Sequence, residues 1–157
     1  MPTAPSLKGR ALRFLAAREH ARDELRRKLA PHARDGQEVE QVLDDLETRG
    51  LLSEARFVES VIHRRAARHG AARIRQELAA HGVSPERARE AVLALQDSEL
   101  SRARDIWRQR FGTPATDARE RARQTRFLLA RGFSGEVVRQ VLRSGADDDD
   151  PPLADSD

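Results

Sequence analysis

The ionisable side chains of this sequence are five histidines, 26 carboxylates and 29 lysines and arginines; cysteine and tyrosine are absent. The histidines, His20, His32, His63, His69 and His81, are scattered, and none stands four positions from another, the spacing at which a helix presents a zinc-binding pair. Without cysteine there is neither a thiolate ligand nor a disulfide framework. The acids mostly stand beside arginines at helical spacing, as Glu24 does with Arg27 and Lys28, and Glu86 with Arg89, the pattern of solvated surface ion pairs. No phosphate-cradling GxxxxGK[ST] or GxGxxG, no GxSxG serine elbow and no HExxH helix occurs. The expectation is a protein with no catalytic residue, metal or cofactor.

What remains is the geometry of positive charge. Lys8 and Lys28 are the only lysines, so the basic character is carried by arginine. Arg64, Arg65, Arg68, Arg73 and Arg75 cluster around Gly70; Arg119, Arg121, Arg123, Arg126 and Arg131 populate a corresponding stretch further on, and Arg26, Arg27 and Lys28 an earlier one. Two readings stand. One is a solvated face, helped by cations favouring helix C-termini at Arg64, Arg65 and Arg68. The other is an interaction surface, because a guanidinium makes bidentate bonds to carboxylate and phosphate alike. Aromatic residues are 4% of the chain, and Phe14, Phe57, Phe127 and Phe133 fall on apolar stripes, so contact with a nucleic-acid backbone is conceivable while base stacking is not supported.

These residues must be positioned by helices. Apolar residues recur at three and four positions almost everywhere, and strict alternation is missing. Stop signals at Pro31, Asp35-Gly36, Gly50, Gly70, Gly82, Gly112 with Pro114, Gly132 and Gly145 cut the chain into short pieces. Ser84 before Pro85, and Ser53, Thr116 and Ser134, can cap the following helices. Nine helices are predicted, over 7–18, 21–31, 36–49, 53–69, 71–81, 85–96, 98–111, 117–131 and 135–144.

The nine group in threes. Leu25, Leu29, Val39, Leu43 and Leu46 superimpose at a shift of 49 on Ile74, Leu78, Ala88, Val92 and Leu95. A shift of 50 maps Leu78, Gly82, Val83, Ser84 and Glu86 onto Leu128, Gly132, Phe133, Ser134 and Glu136. The fold expected is all-α, with three tandem three-helix repeats forming an elongated curved array. Its parts would be a disordered N-terminus over 1–6, repeats over 7–51, 52–97 and 98–145, and a disordered acidic tail over 146–157. A unit of this size buries too little apolar surface to be robust alone, so stacking should supply much of its stability. Trp107 and Phe111, at i, i+4 on one helix face, read either as core packing or as a partner-binding anchor.

The net charge of +3 hides an asymmetry. Six acids, Asp147, Asp148, Asp149, Asp150, Asp155 and Asp157, lie beyond the last basic residue, Arg143, so the first 145 residues carry 29 basic against 20 acidic side chains. A basic body suits an acidic or polyanionic partner. The opening MPTAPSLKGR lacks the apolar core of a signal peptide, and no run approaches the ~20 apolar residues of a membrane span, so a cytoplasmic location without membrane contact is expected.

Four motifs, in order, resemble one known family from about residue 7 to 144. They are ALRFLAAREHARDELRRKL from Ala11, GLLSEARFVES from Gly50, RRAARHGAARIRQELAAHGVS with Arg64, Gly70, Arg73, Ile74, Glu77, Leu78, Gly82 and Val83 in register, and RFLLARGFS from Arg126 to Ser134. The chain is identified by them as similar to the RecX regulatory proteins. Ala21 departs from the serine common there, and Val61 from an aromatic. The resemblance implies a monomer that binds the RecA–DNA filament of recombination, DNA repair and the SOS response, and suppresses RecA ATPase, strand exchange and coprotease activity. Arg64, Arg68, Arg73, Arg75, Arg126 and Arg131, with Arg26, Arg27 and Lys28, are the expected filament- or DNA-binding residues, the DNA being single- or double-stranded. The alternative is a basic helical-repeat nucleic-acid-binding module with no RecA partner.

Overall fold

The computed structural model describes residues 3–147. The acidic tail from Asp148 onward, and with it the expectation of disorder there, lies outside the described residues.

The described chain is all-helical. Its α-helices are α1 (Leu7–Ala17), α2 (Arg22–Leu29), α3 (Gly36–Thr48), α4 (Glu54–Arg65), α5 (Ala71–Ala80), α6 (Pro85–Leu93), α7 (Gln96–Arg110), α8 (Ala118–Ala130) and α9 (Gly135–Asp147), with a 3-10 turn over Ala30–His32. Their starts follow from capping chemistry. Ser6 Oγ accepts from the Gly9 N–H at 3.0 Å, and Asp35 Oδ1 from the Glu38 N–H at 2.9 Å, each satisfying a backbone donor the helix cannot. Ser53, Ser84 and Ser134 do the same for α4, α6 and α9, at 3.3, 3.3 and 3.2 Å. At α8 the cap is Asp117, accepting from Glu120 N at 2.7 Å, and not Thr116. Ala21 begins α2 with no side-chain cap, leaving Asp23 and Glu24 in the first turn to offset the free N–H groups.

Helix ends repeat as closely as the sequence does. Val83 N donates to Leu78 O at 3.1 Å around Gly82, and Phe133 N to Leu128 O at 3.3 Å around Gly132. Both glycines sit at positive φ, +84° and +92°, the left-handed C-cap that a Cβ would strain. The shift of 50 is therefore a shift between equivalent turns. Three predicted ends differ by three residues or more, one of them that of α6, which stops at Leu93 rather than 96. Helix α4 stops at Arg65 rather than continuing to 69, and α9 runs through Gly145 to Asp147. Gly145 is not a stop but a place of close approach: it is buried, and a Cβ there would stand 2.8 Å from the Trp107 ring.

Two compact units divide the described residues, the first comprising those up to 63 and 76–91, the second 64–75 and those from 92 onward. In the first, α1, α2 and α3 pack together around Leu7, Ala11, Leu25, Leu29, Val39, Leu43, Leu46 and Leu52. Each fully buried leucine among them contributes about 1.5–3 kcal/mol relative to exposure. Arg22 closes this bundle, reaching Glu40, Asp44 and Glu47 of α3 at 2.7, 2.7 and 3.0 Å. Its partial burial opposes the charge, but those three carboxylates outweigh that and hold the guanidinium firmly protonated.

In the second unit α7, α8 and α9 pack around Ala103, Ile106, Trp107, Leu128, Phe133, Val138 and Val141. Trp107 is core, 5% exposed, and its indole N–H donates to Oε1 of buried Gln124 at 3.0 Å, so the ring brings no unsatisfied donor inside. Phe111, four residues on, is only partly buried and meets Phe127 edge-on at 5.3 Å between centroids.

Candidate anion-binding interface

The arginine cluster around Gly70 is built by the second unit. After α4 ends, Arg68 N and His69 N both return to Arg65 O, at 3.0 and 2.9 Å, which leaves the carbonyls of Ala66 and His69 without helical partners. Arg102 of α7 takes both with one guanidinium nitrogen, at 2.7 Å each, and stacks 6.0 Å from the Phe133 ring centroid. Burial lowers the pKa of Arg102, while Glu99 pulls it the other way; a guanidinium keeps its proton regardless. One turn earlier Glu99, only 9% exposed, accepts from Ala71 N at 3.1 Å and so caps α5 from outside. On the opposite side Gly70 N donates to Arg131 O at 2.8 Å and Ala72 N to Gly132 O at 3.3 Å. Gly70 and Gly132 are both required to be glycine, since a Cβ on Gly70 would overlap the Gly132 carbonyl, and one on Gly132 would overlap Arg73.

This clamp fixes a cleft of about 310 Å³ lined by Ala67, Arg68, Ile106, Gln109, Arg110, Phe127 and Arg131. Three arginines and one aromatic ring line the space, two of the guanidiniums stacking on that ring, and no carboxylate lines it. Arg131 lies 5.0 Å and Arg110 5.5 Å from the Phe127 centroid, and Arg123 lies 5.8 Å from that of Phe111. Such cation–π contacts orient a guanidinium without neutralising it. Among the described residues no carboxylate comes within 4.0 Å of Arg64, Arg68, Arg73, Arg75, Arg110, Arg126 or Arg131 in any ion pair formed there. Arg64, Arg68, Arg73, Arg75 and Arg126 are exposed.

The three basic residues of the first unit stand differently. Arg26 is held by Glu40 and Asp23, which raise its pKa, the Glu40 hydrogen bond contributing most. Lys28 donates to Nε2 of buried His20 at 2.9 Å and sits 5.0 Å over the Phe14 ring, and Arg27 is exposed. His20 Nδ1 faces Arg18 O at 3.0 Å, so the neutral ring with its proton on Nδ1 satisfies both contacts. Burial lowers the His20 pKa and outweighs the hydrogen bond to the Arg18 carbonyl, which raises it; the charges of Arg18 and Lys28 add to the lowering.

Arg110, Phe127, Arg102 and Glu99 were not singled out by spacing. The signal available was that Phe111 and Phe127 both stand next to or near arginines; apolar periodicity placed Phe127 on an apolar stripe and left Phe111 between core packing and a partner-binding anchor. Among the described residues no group of histidines and acids could hold a metal ion, and no helix is long and apolar enough to cross a membrane.

Three family models match consecutive stretches: RecX, first three-helix domain, over residues 8–46; RecX, second three-helix domain, over 53–92; and RecX, third three-helix domain, over 97–142. This chain belongs to the RecX family. A regulatory protein RecX of Leptothrix cholodnii is 65% identical over 138 residues, 88% of each chain. That of Ralstonia nicotianae is 50% identical over 98% of this chain and 99% of its own. The crystal structure of RecX from Lactobacillus salivarius superimposes with a TM-score of 0.76, covering 89% of this chain and 94% of that one, at 16% identity. The nine α-helices thus form the three three-helix domains of a RecX regulatory protein, and the all-α expectation of three threes is borne out.

Proposed function

We propose that this RecX protein restrains the RecA recombinase, binding the RecA–DNA filament and inhibiting its ATPase, strand-exchange and coprotease activities without chemistry of its own. The observation that carries the reading is the set of guanidiniums in the second unit, Arg64, Arg68, Arg73, Arg75, Arg110, Arg126 and Arg131, which form no ion pair with a described carboxylate; Arg73 and Arg131 are held by backbone carbonyls, and Arg110 and Arg131 by the Phe127 ring. Desolvating such a group is favourable only against an external anion, and a filament offers both acidic protein surface and phosphate. Arg27 and Lys28 of the first unit are further contacts in this reading, whereas Arg26 reaches an external anion only by giving up Glu40. The protein acts as a monomer in the cytoplasm.

The test is RecA ATP hydrolysis on single-stranded DNA with this protein at substoichiometric ratios. Inhibition well below one molecule per protomer supports a filament regulator. Combined charge reversal of Arg64, Arg68 and Arg73, in a chain of normal helicity, should abolish it. Unchanged inhibition by that variant would remove this face from the mechanism.

The second reading, nucleic-acid binding without RecA, draws on the same unpaired guanidiniums. It predicts affinity for duplex DNA that falls with salt at a log-log slope of about −0.9 per neutralised phosphate, and no effect on RecA beyond competition for DNA.

A further inference from the structure

We infer that the cleft bounded by Arg68, Arg110, Arg131 and Phe127 is a carboxylate-binding site whose resident occupant is the acidic segment Asp148–Asp157 of the same chain. Three observations carry this.

The first is charge. The lining presents three guanidiniums and no acid, while the segment beyond α9 holds Asp148, Asp149, Asp150, Asp155 and Asp157 and no base. Two of the guanidiniums are oriented by Phe127, and Arg131 also donates to Arg68 O at 3.5 Å, so they are arranged before any ligand arrives. Preorganised guanidiniums bind carboxylates with less ordering cost than free side chains do.

The second is where the described chain leaves off. The last turns of α9 lie along α7: Arg104 Nη2 donates to Ser144 Oγ at 3.0 Å, and Gly145 is seated against Trp107. Ile106, Gln109 and Arg110 of the cleft stand within about one to two turns of Arg104 and Trp107 on the same helix, a rise of about 5–10 Å.

The third is length. Ten residues reach at most ~33–36 Å when extended, ample to pass round one helix of about 10–12 Å diameter. A tether that short holds its acids at an effective concentration in the mM range, enough to occupy a weak site. Five carboxylates sharing the cleft in turn would keep it screened until a stronger or more concentrated polyanion displaced them.

The chain has one tryptophan and no cysteine, which makes the test direct. Ser156→Cys gives a unique attachment point for an acceptor dye, and energy transfer from Trp107 reports its distance. With the full-length labelled protein at low salt, efficient transfer is expected. It should fall by at least half on raising salt from about 0.01 to 1 M, where the screening length drops from ~30 to ~3 Å. It should fall equally at low salt in Arg68→Gln/Arg110→Gln/Arg131→Gln. Arg110→Gln alone, at an exposed side chain, serves should the triple variant lose helicity, and should lower transfer measurably. Transfer that ignores salt, or that responds to salt but not to these substitutions, overturns the assignment. No recombinase is present in the experiment, so its failure leaves the filament reading intact.

Discussion

The amide of Gly70 donates to the carbonyl of Arg131 across 2.8 Å, joining the turn after α4 to the turn after α8 backbone to backbone. The approach is possible because neither Gly70 nor Gly132 has a side chain. Two arginine clusters separated by about sixty positions thereby become one surface.

Gly70→Ala should therefore destabilise the protein by about 1–3 kcal/mol, the usual cost of forcing a methyl into filled space. Gly36→Ala, at a helix N-terminus where a Cβ meets nothing within 4 Å, should be neutral or slightly stabilising. Urea denaturation midpoints distinguish the two, and equal effects would contradict the packing described.

Arg102→Ala should cost about 2–5 kcal/mol, because the Ala66 and His69 carbonyls lose a charged donor while partly buried. Arg102→Lys should recover only part of this, one ammonium being unable to reproduce the stacked, forked geometry. Circular dichroism melts of both variants check the order.

Gln124→Leu leaves the Trp107 indole N–H buried without an acceptor, a loss of about 1–3 kcal/mol. Since Trp107 is the only tryptophan, its emission reads the change directly. An unaltered spectrum and stability would mean the hydrogen bond carries no weight.

Acid should weaken the first unit in two windows. His20 has its pKa lowered, so its contribution is full above the ordinary value of about 6.5 and declines as the pH drops below it, when the unfolded chain takes up the proton first. Glu40, paired with Arg26 and Arg22, is held down to about 2 from 4.5; its contribution is full above 4.5 and is lost on going down to about 2. Melting temperatures of His20→Gln should be flatter than those of the parent between pH 7 and 5, and those of Glu40→Gln flatter between 4.5 and 2. Parallel curves would discard the corresponding assignment.

Helices were legible because their punctuation is chemical and local. Gly82 and Gly132 mark equivalent C-caps, and Ser84 and Ser134 the caps that follow. The misreadings have non-local causes. Residues 66–69 leave the helix while Arg102, more than thirty positions away, takes their carbonyls, and Gly145 looks like a terminator until Trp107 is seen to need its bare backbone. The same distinction applies to the interface. Arg68 and Arg131 could be picked out because they flank glycine turns, but Arg110 and Phe127 join them only in three dimensions. Arg26 looked available because its principal partner, Glu40, is fourteen positions distant and on another helix.

The clamp on the Gly70 turn also dictates an order of events during synthesis. Glu99, Arg102, Arg131 and Gly132 all emerge from the ribosome after the residues they hold, the last of them some sixty positions later. At ~5–20 residues per second the turn spends roughly 3–12 s without its partners. The second three-helix domain is thus translated well before it can be finished, and a nascent chain halted near residue 92 would carry its basic turn unclamped.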